Sequence, residues 1–244
     1  MELNGGADTF GCWTGDPAAM RGALERANLT PWSVHCPAAG WNLADRDEQA
    51  RLAAVEATRS CLRPSRDLGA NLVVCHSNAS RGTFLVEDYA ASLAQTRRSL
   101  EVLAEEADRA GLRLAVETMI PRPDKRPGQR VEEILDLIDG LGEHVGICID
   151  TGHSHAGGAD PAKEVIRAGG KLFSVHINDN HGRFNEDEHL LPGQGTINWP
   201  AFLAALDRIE FAPPRIFEVK LIEGPDGPRQ TLTRLAETVR TWRK

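Results

Sequence analysis

Short apolar runs alternate along this chain with longer stretches in which apolar residues recur every three or four positions. The short runs cover residues 31–35, 71–76, 114–117, 145–150, 172–176 and 215–218, and each ends in His, Glu or Asp. They are too short for helices and read as strands buried on both faces, as in a parallel sheet. Residues 1–4 form a weaker seventh candidate. The longer stretches predict helices over about 16–28, 45–68, 87–110, 131–138, 161–168, 199–209 and 230–242. Asp16 before Pro17 is a good start signal. Leu93, Leu100, Leu103 and Ala107 give the third helix an apolar stripe. Pro64 is expected to kink or split the second. Gly69 and Gly111 sit where left-handed caps close helices before strands.

Strand and helix in alternation give an α/β fold with a parallel sheet. Polar residues at the carboxyl ends of successive parallel strands converge on one mouth, which is the geometry of a (β/α)8 barrel active site. Seven strands are countable where such a barrel has eight, so the first βα unit is expected to be missing from the pattern. The gap would leave edge strands with unpaired backbone and invite self-association. No repeat or linker suggests a second domain, so residues 1–244 read as one barrel domain.

Composition narrows the partners. A net charge of −7 does not attract nucleic acid or an anionic membrane. No signal segment and no membrane-length apolar run is present. Five cysteines lack any Cys-x-x-Cys pair, and Cys36, Cys75 and Cys148 fall in or beside apolar runs as small buried thiols. With no disulfide framework, a soluble cytoplasmic protein is expected.

The chemistry lies in the residues that end the strands. Glu117, Asp150, His176 and Glu218 form the core of the set, joined by His35, His76, His153, Asp187 and His189. One strand-end His is ordinarily a hydrogen-bond partner, and one Asp is ordinarily a helix cap. Recurrence at strand after strand is what points to a shared site, because a charge rarely ends an apolar strand without a partner. Asp150 and His153 share one strand-to-loop turn, and Asp187 and His189 face the same way on an extended loop. Mixed carboxylate and imidazole ligands suit Zn, Mn, Co or Fe, and a mainly carboxylate site also accepts Mg. His144, His155 and His181 read as bystanders. Residues 121–129, rich in Pro and charge, read as a solvated loop over the mouth. Gly193 and Gly195 shape the turn before Trp199, and Ser77 and Ser80 have no base placed for them. Neither a phosphate-binding Gly-rich loop after a strand nor a Gly-x-Ser-x-Gly elbow occurs.

Ser33-Val-His-Cys-Pro37, Val73-Val-Cys-His76, Val116-Glu-Thr118, Ile149-Asp-Thr-Gly-His153, Val175-His-Ile-Asn-Asp-Asn180, Asp187-Glu-His-Leu190 and Phe217-Glu218 occur in that order. As a set they resemble the xylose isomerase-like TIM-barrel superfamily, which also holds the AP endonucleases of the endonuclease IV type. The resemblance implies one divalent metal on Glu117, Asp150, His176 and Glu218, and substrate contact by His153, as in the sugar isomerases and epimerases. The endonuclease pattern would add zinc on His35 and His76, and another on His153, Asp187 and His189, three zinc ions in all. Leu191-Pro-Gly-Gln-Gly195 is closer to the isomerases. Glu2-Leu-Asn-Gly5 resembles the second strand of such barrels.

The expected function is a metal-dependent sugar or sugar-acid isomerase or epimerase working through an enediolate on a small carbohydrate. Glu117 and Glu218 would serve as ligands and proton carriers, His153 would hold a substrate oxygen, and Arg183 would bind a hydroxyl, carboxylate or phosphate. A lyase using the same enolate is a close relative of this reading. An AP endonuclease and an inactive barrel subunit are the alternatives.

Overall fold

The computed structural model describes residues 1–5, 17–37, 41–78, 88–123 and 125–242. Seven strands form one parallel sheet in chain order: β1 (Glu2–Asn4), β2 (Ser33–His35), β3 (Leu72–His76), β4 (Arg113–Glu117), β5 (Val145–Asp150), β6 (Leu172–Ile177) and β7 (Ile216–Phe217). Helices α1 (Pro17–Arg26), α2 (Glu48–Asp67), α3 (Tyr89–Ala110), α4 (Val131–Ile138), α5 (Thr151–Ala156), α6 (Pro161–Ala168), α7 (Trp199–Arg208) and α8 (Gly227–Trp242) accompany it. This is a nearly closed (β/α) barrel, with β1 and β7 as the edges of the sheet among the described residues. No helix among those residues is long and apolar enough to cross a membrane.

Period-two alternation sorts each strand between two environments. Val73, Leu114, Val116, Ile147, Ile149, Val175 and Ile177 are fully buried and belong to one cluster with Leu100, Leu103, Ile134, Phe202 and Leu206 of the helices. Each such side chain contributes about 1.5–3 kcal/mol relative to exposure. A second, smaller cluster of Leu72, Val74, Ala115, Cys148 and Phe173, with Trp32 against it, fills the lower barrel interior. One step further along the same inward rows come His76 after Val74, Glu117 after Ala115 and Asp150 after Cys148. The apolar plug is thus the floor of the site, as in barrels whose interiors are packed in layers.

Several boundaries differ from the sequence pattern, each for a local reason. Helix α2 begins at Glu48 because Asp47 caps it, accepting from the Ala50 N–H at 2.9 Å. Pro64 does not split it; the proline sits in the last turn, and its carbonyl still accepts from the Leu68 N–H at 2.9 Å. The turn after Asp150 is a short helix, α5. Gly69 and Gly111 do take left-handed backbone, at φ 84° and 66°. The expected helix starts at Asp16 and Glu87 lie outside the described residues, as do Cys12 and Ser80. The loop at 121–129 is not simply solvated: Pro127 O accepts from Ser77 Oγ at 2.7 Å and Asn78 Nδ2 at 2.6 Å, fastening it to the end of β3.

Candidate metal centre

Glu117 ends β4 with 1% of its side chain exposed, inside a ring of imidazoles. Its Oε2 lies 3.0 Å from His35 Nε2 and 3.1 Å from His76 Nε2. Its Oε1 lies 3.2 Å from His176 Nδ1, which is also 3.0 Å from Glu218 Oε2. Ligand atoms of Glu117, Asp150, His176 and Glu218 all fall within 4.8 Å of one another. A single ion with bonds of about 2.0–2.3 Å spans a similar distance between opposite ligands. Two more groups meet the same limit: His35, Glu117 and His176, and His153, Asp187 and His189. The structure therefore brings all nine strand-end and loop residues to one mouth.

Asp150 has two tasks. It caps α5, its Oδ1 accepting from the His153 N–H at 2.7 Å. Its Oδ2 accepts from Asn178 Nδ2 at 2.7 Å, and its own N–H donates to Thr118 Oγ1 at 2.9 Å. Strand and helix geometry thus fix the carboxylate from both sides.

Backbone carbonyls orient three of the histidines. His35 Nδ1 donates to Cys36 O, His153 Nδ1 to Thr118 O and His189 Nδ1 to Glu218 O, each at 2.8 Å. A carbonyl only accepts, so the Nδ1–H tautomer is set and Nε2 is left for the site. His153 Nε2 lies 3.6 Å and His189 Nε2 3.0 Å from the Asp187 carboxylate. His176 is turned the other way, Nδ1 inward, with Nε2 2.9 Å from Glu2 Oε1.

The loop carrying Asp187 and His189 is tied down beneath the site. Fully buried Asp179 accepts from the Gly193 N–H at 2.8 Å, the Ile197 N–H at 3.2 Å and Trp199 Nε1 at 3.0 Å. That explains the Gly-Gln-Gly turn: Gly193 takes φ 91°, which side chains resist. His189 itself stands at φ 49°, a strained value for a non-glycine residue, held by Lys220 N–H on its carbonyl at 2.9 Å.

The electrostatics are those of a site short of positive charge. Burial raises the Asp150 carboxyl to about 6, against the pull of His153. Burial would likewise raise Glu218, but contact with His176 outweighs it and holds the group at about 2. Burial would lower the imidazoles, yet Glu117 beside His35, Asp150 beside His153 and Asp187 beside His189 raise them to about 9, 10 and 9. Protons on imidazole here supply charge that a cation would otherwise supply. Glu218 Oε2 and His76 Nδ1 are buried without a hydrogen-bond partner. Orphaned buried donors and acceptors, carboxylates and imidazoles together fit a divalent metal of the Zn, Mn or Co kind.

Not every expectation falls at the mouth. Arg183 is 65% exposed and pairs with Glu186 at 3.3 Å, because its loop turns outward. Arg122 lines the cavity instead. His144, His155 and His181 bond Ala104 O, Thr196 Oγ1 and Glu188. Sequence reasoning passed over Glu2, Thr118, Asn178 and Asp179. A signal existed for Glu2, a carboxylate in a strand whose neighbour His35 faces the site.

An open cavity of about 650 Å³ borders the centre at His35, His76, Glu117, His153, His189 and Glu218 and extends between the edge strands β1 and β7 to α8, with Arg122 also in its lining. The chain is 28% identical over 172 residues to an inosose isomerase of Bacillus velezensis, an alignment spanning 68% of this chain and 60% of that protein. It is 27% identical over 250 residues to a probable endonuclease 4 of Bacillus licheniformis, covering 90% and 79%. Among solved structures, a D-tagatose 3-epimerase-like protein has the same fold at TM-score 0.78 and 23% identity, over 98% of this chain and 90% of that one. An IOLI protein with a binding zinc atom matches at TM-score 0.76 and 20% identity, over 98% and 85%. The family model of the xylose isomerase-like TIM barrel matches residues 6–240, and the chain belongs to that family.

Proposed function

We propose that this protein is a divalent-metal-dependent isomerase or epimerase of a small sugar or sugar acid, acting through an enediolate. The observation that carries the proposal is the four-residue group of Glu117, Asp150, His176 and Glu218 under an open cavity. Glu117, Asp150, His176 and Glu218 would hold a divalent cation there, which would supply Lewis acidity toward a carbonyl and the neighbouring hydroxyl. The two glutamates differ in what they are free to do. Glu117 is buried, with His35, His76 and His176 around its oxygens. Glu218 has 45% of its side chain exposed and borders the cavity. Glu218 is therefore the group to take the proton beside the carbonyl, and Glu117 the one to hold geometry or return a proton from the other strand. His153 Nε2, with its Nδ1 fixed by Thr118 O, is set to hold a substrate oxygen. A cavity of this size suits a monosaccharide. The similarity to an inosose isomerase agrees with such a substrate class.

A second reading keeps a specific observation behind it. The groups around His35 and around His189 could hold two further metals, as expected for an AP endonuclease. The net charge of −7 opposes a DNA partner. Incubating the metal-loaded protein with keto-sugars and inososes in heavy water, followed by proton NMR, separates the readings. The isomerase reading predicts loss of the carbon-bound proton next to the carbonyl in one or more of these substrates. Absence of exchange, together with cleavage of an abasic-site duplex, would replace it with the nuclease. Tight metal binding with neither activity would indicate an inactive subunit.

A further inference from the structure

His176 differs from the other oriented histidines because no carbonyl fixes it. Its Nδ1 lies between Glu117 and Glu218, and its Nε2 lies 2.9 Å from Glu2 Oε1. This contact is an ion pair and not a hydrogen bond. Glu2 is itself aimed: Ser33 Oγ donates to its Oε2 at 2.6 Å. Register explains the arrangement, since Glu2 pairs with Ser33 across β1 and β2 and Asn4 pairs with His35. Glu2 and Ser33 therefore lie one inward step below His35, under the centre. Only 11% of the Glu2 side chain is exposed, while His176 is fully buried. A carboxylate in that position has no reason to be buried unless a cationic or donor group needs it.

We infer that Glu2 is a positioning residue of the metal centre: aimed by Ser33, its carboxylate pairs with the Nε2 edge of His176 and so turns Nδ1 toward the ion that Glu117, Asp150 and Glu218 would share with it. The inference rests on the metal reading of the site. A carboxylate behind a ligating imidazole fixes its tautomer and raises its basicity, and removing such a partner typically costs about 10–100-fold in metal affinity. Glu2 would act on metal binding through His176, without being a ligand itself. Because β1 lies at one edge of the sheet, the site would then depend on that edge being in place.

Cobalt(II) binding to the full chain, measured by chelator competition and by the visible absorption of the bound ion, tests this. Glu2→Gln keeps size and strand propensity but removes the charge. It should weaken cobalt binding about 10–100-fold and alter the cobalt spectrum, with the melting temperature of the metal-free protein little changed. Cobalt affinity and spectrum equal to those of the unaltered protein would overturn the inference. Should Glu2→Gln fail to fold, Ser33→Ala serves instead; it should weaken cobalt binding in the same direction, and unchanged affinity would overturn the inference equally. If the unaltered chain binds no cobalt, the metal reading itself falls, a result distinct from either of these.

Discussion

At the scale of single residues, the site arises from one step of strand alternation. Val74, Ala115 and Cys148 are apolar and close the barrel floor; two residues on, His76, Glu117 and Asp150 are polar and face the mouth. That step is visible in sequence, and so the nine clustered residues were legible before any coordinates. What was not legible depends on register across strands or on loop direction. Glu2 matters only because β1 sets it beside Ser33, and Asn178 only because β6 returns beside Asp150. Arg183 illustrates the opposite case, a candidate binding group that the structure places 65% exposed and paired with Glu186. The division of labour between the glutamates yields a prediction. Glu218→Gln should lower turnover by about 10²–10⁴-fold, the usual worth of a general base. Metal affinity should fall as well, and the circular dichroism spectrum should stay native. Turnover within a few-fold of the unaltered enzyme would remove Glu218 from the proton-transfer role.

At the scale of elements, caps and small residues decide where strands and helices meet. Asp150 shows why its role was ambiguous in sequence: a helix cap and a strand-end ligand make the same demand for a short carboxylate, and here the residue that caps α5 also stands in the four-residue group that could hold a metal. The short helix α5 escaped notice because six residues carry too little periodicity to register. Gly146 is informative in another way. A Cβ there would lie 2.5 Å from Lys171 O and 2.6 Å from the Phe173 ring. Phe173 reaches the barrel floor next to the register shift at Ile147 and Cys148, using the room that Gly146 leaves. Gly146→Ala should therefore destabilise the protein by about 1–3 kcal/mol, the ordinary cost of overpacking a core. Denaturant unfolding measures it, and an unchanged midpoint would mean that β5 and β6 shift apart freely.

At the scale of the whole molecule, the cluster links stability to pH and to metal. His35, His153 and His189 ordinarily titrate near 6.5; in the metal-free fold burial works against their protonation, but the facing carboxylates raise them to about 9, 10 and 9. A raised imidazole contributes stability that is complete below its unfolded value and is lost as pH climbs through the folded one. Burial raises Asp150 from 3.8 to about 6, which acts in the same direction. Glu218, held down to about 2, adds stability above about 4.5 that disappears only in strong acid. In chelator, the melting temperature should accordingly fall as pH rises from about 6.5 towards 10. Bound metal requires deprotonated ligands, so its stabilisation should grow over the same range. At a free metal concentration about 100 times the Kd it reaches about 2.7 kcal/mol. A melting temperature indifferent to pH and metal would show that these groups do not interact as described.

Glu117, Asp150, His176 and Glu218 are proposed to hold one divalent ion. Anomalous diffraction from crystals of the full chain grown with zinc or manganese tests it most directly. One dominant peak is expected about 2.0–2.3 Å from a carboxylate oxygen of each acid and from His176 Nδ1. Three comparable peaks, the others at His35–His76 and at His153–Asp187–His189, would favour the nuclease, and no peak among the four residues would mean that they do not form a metal site.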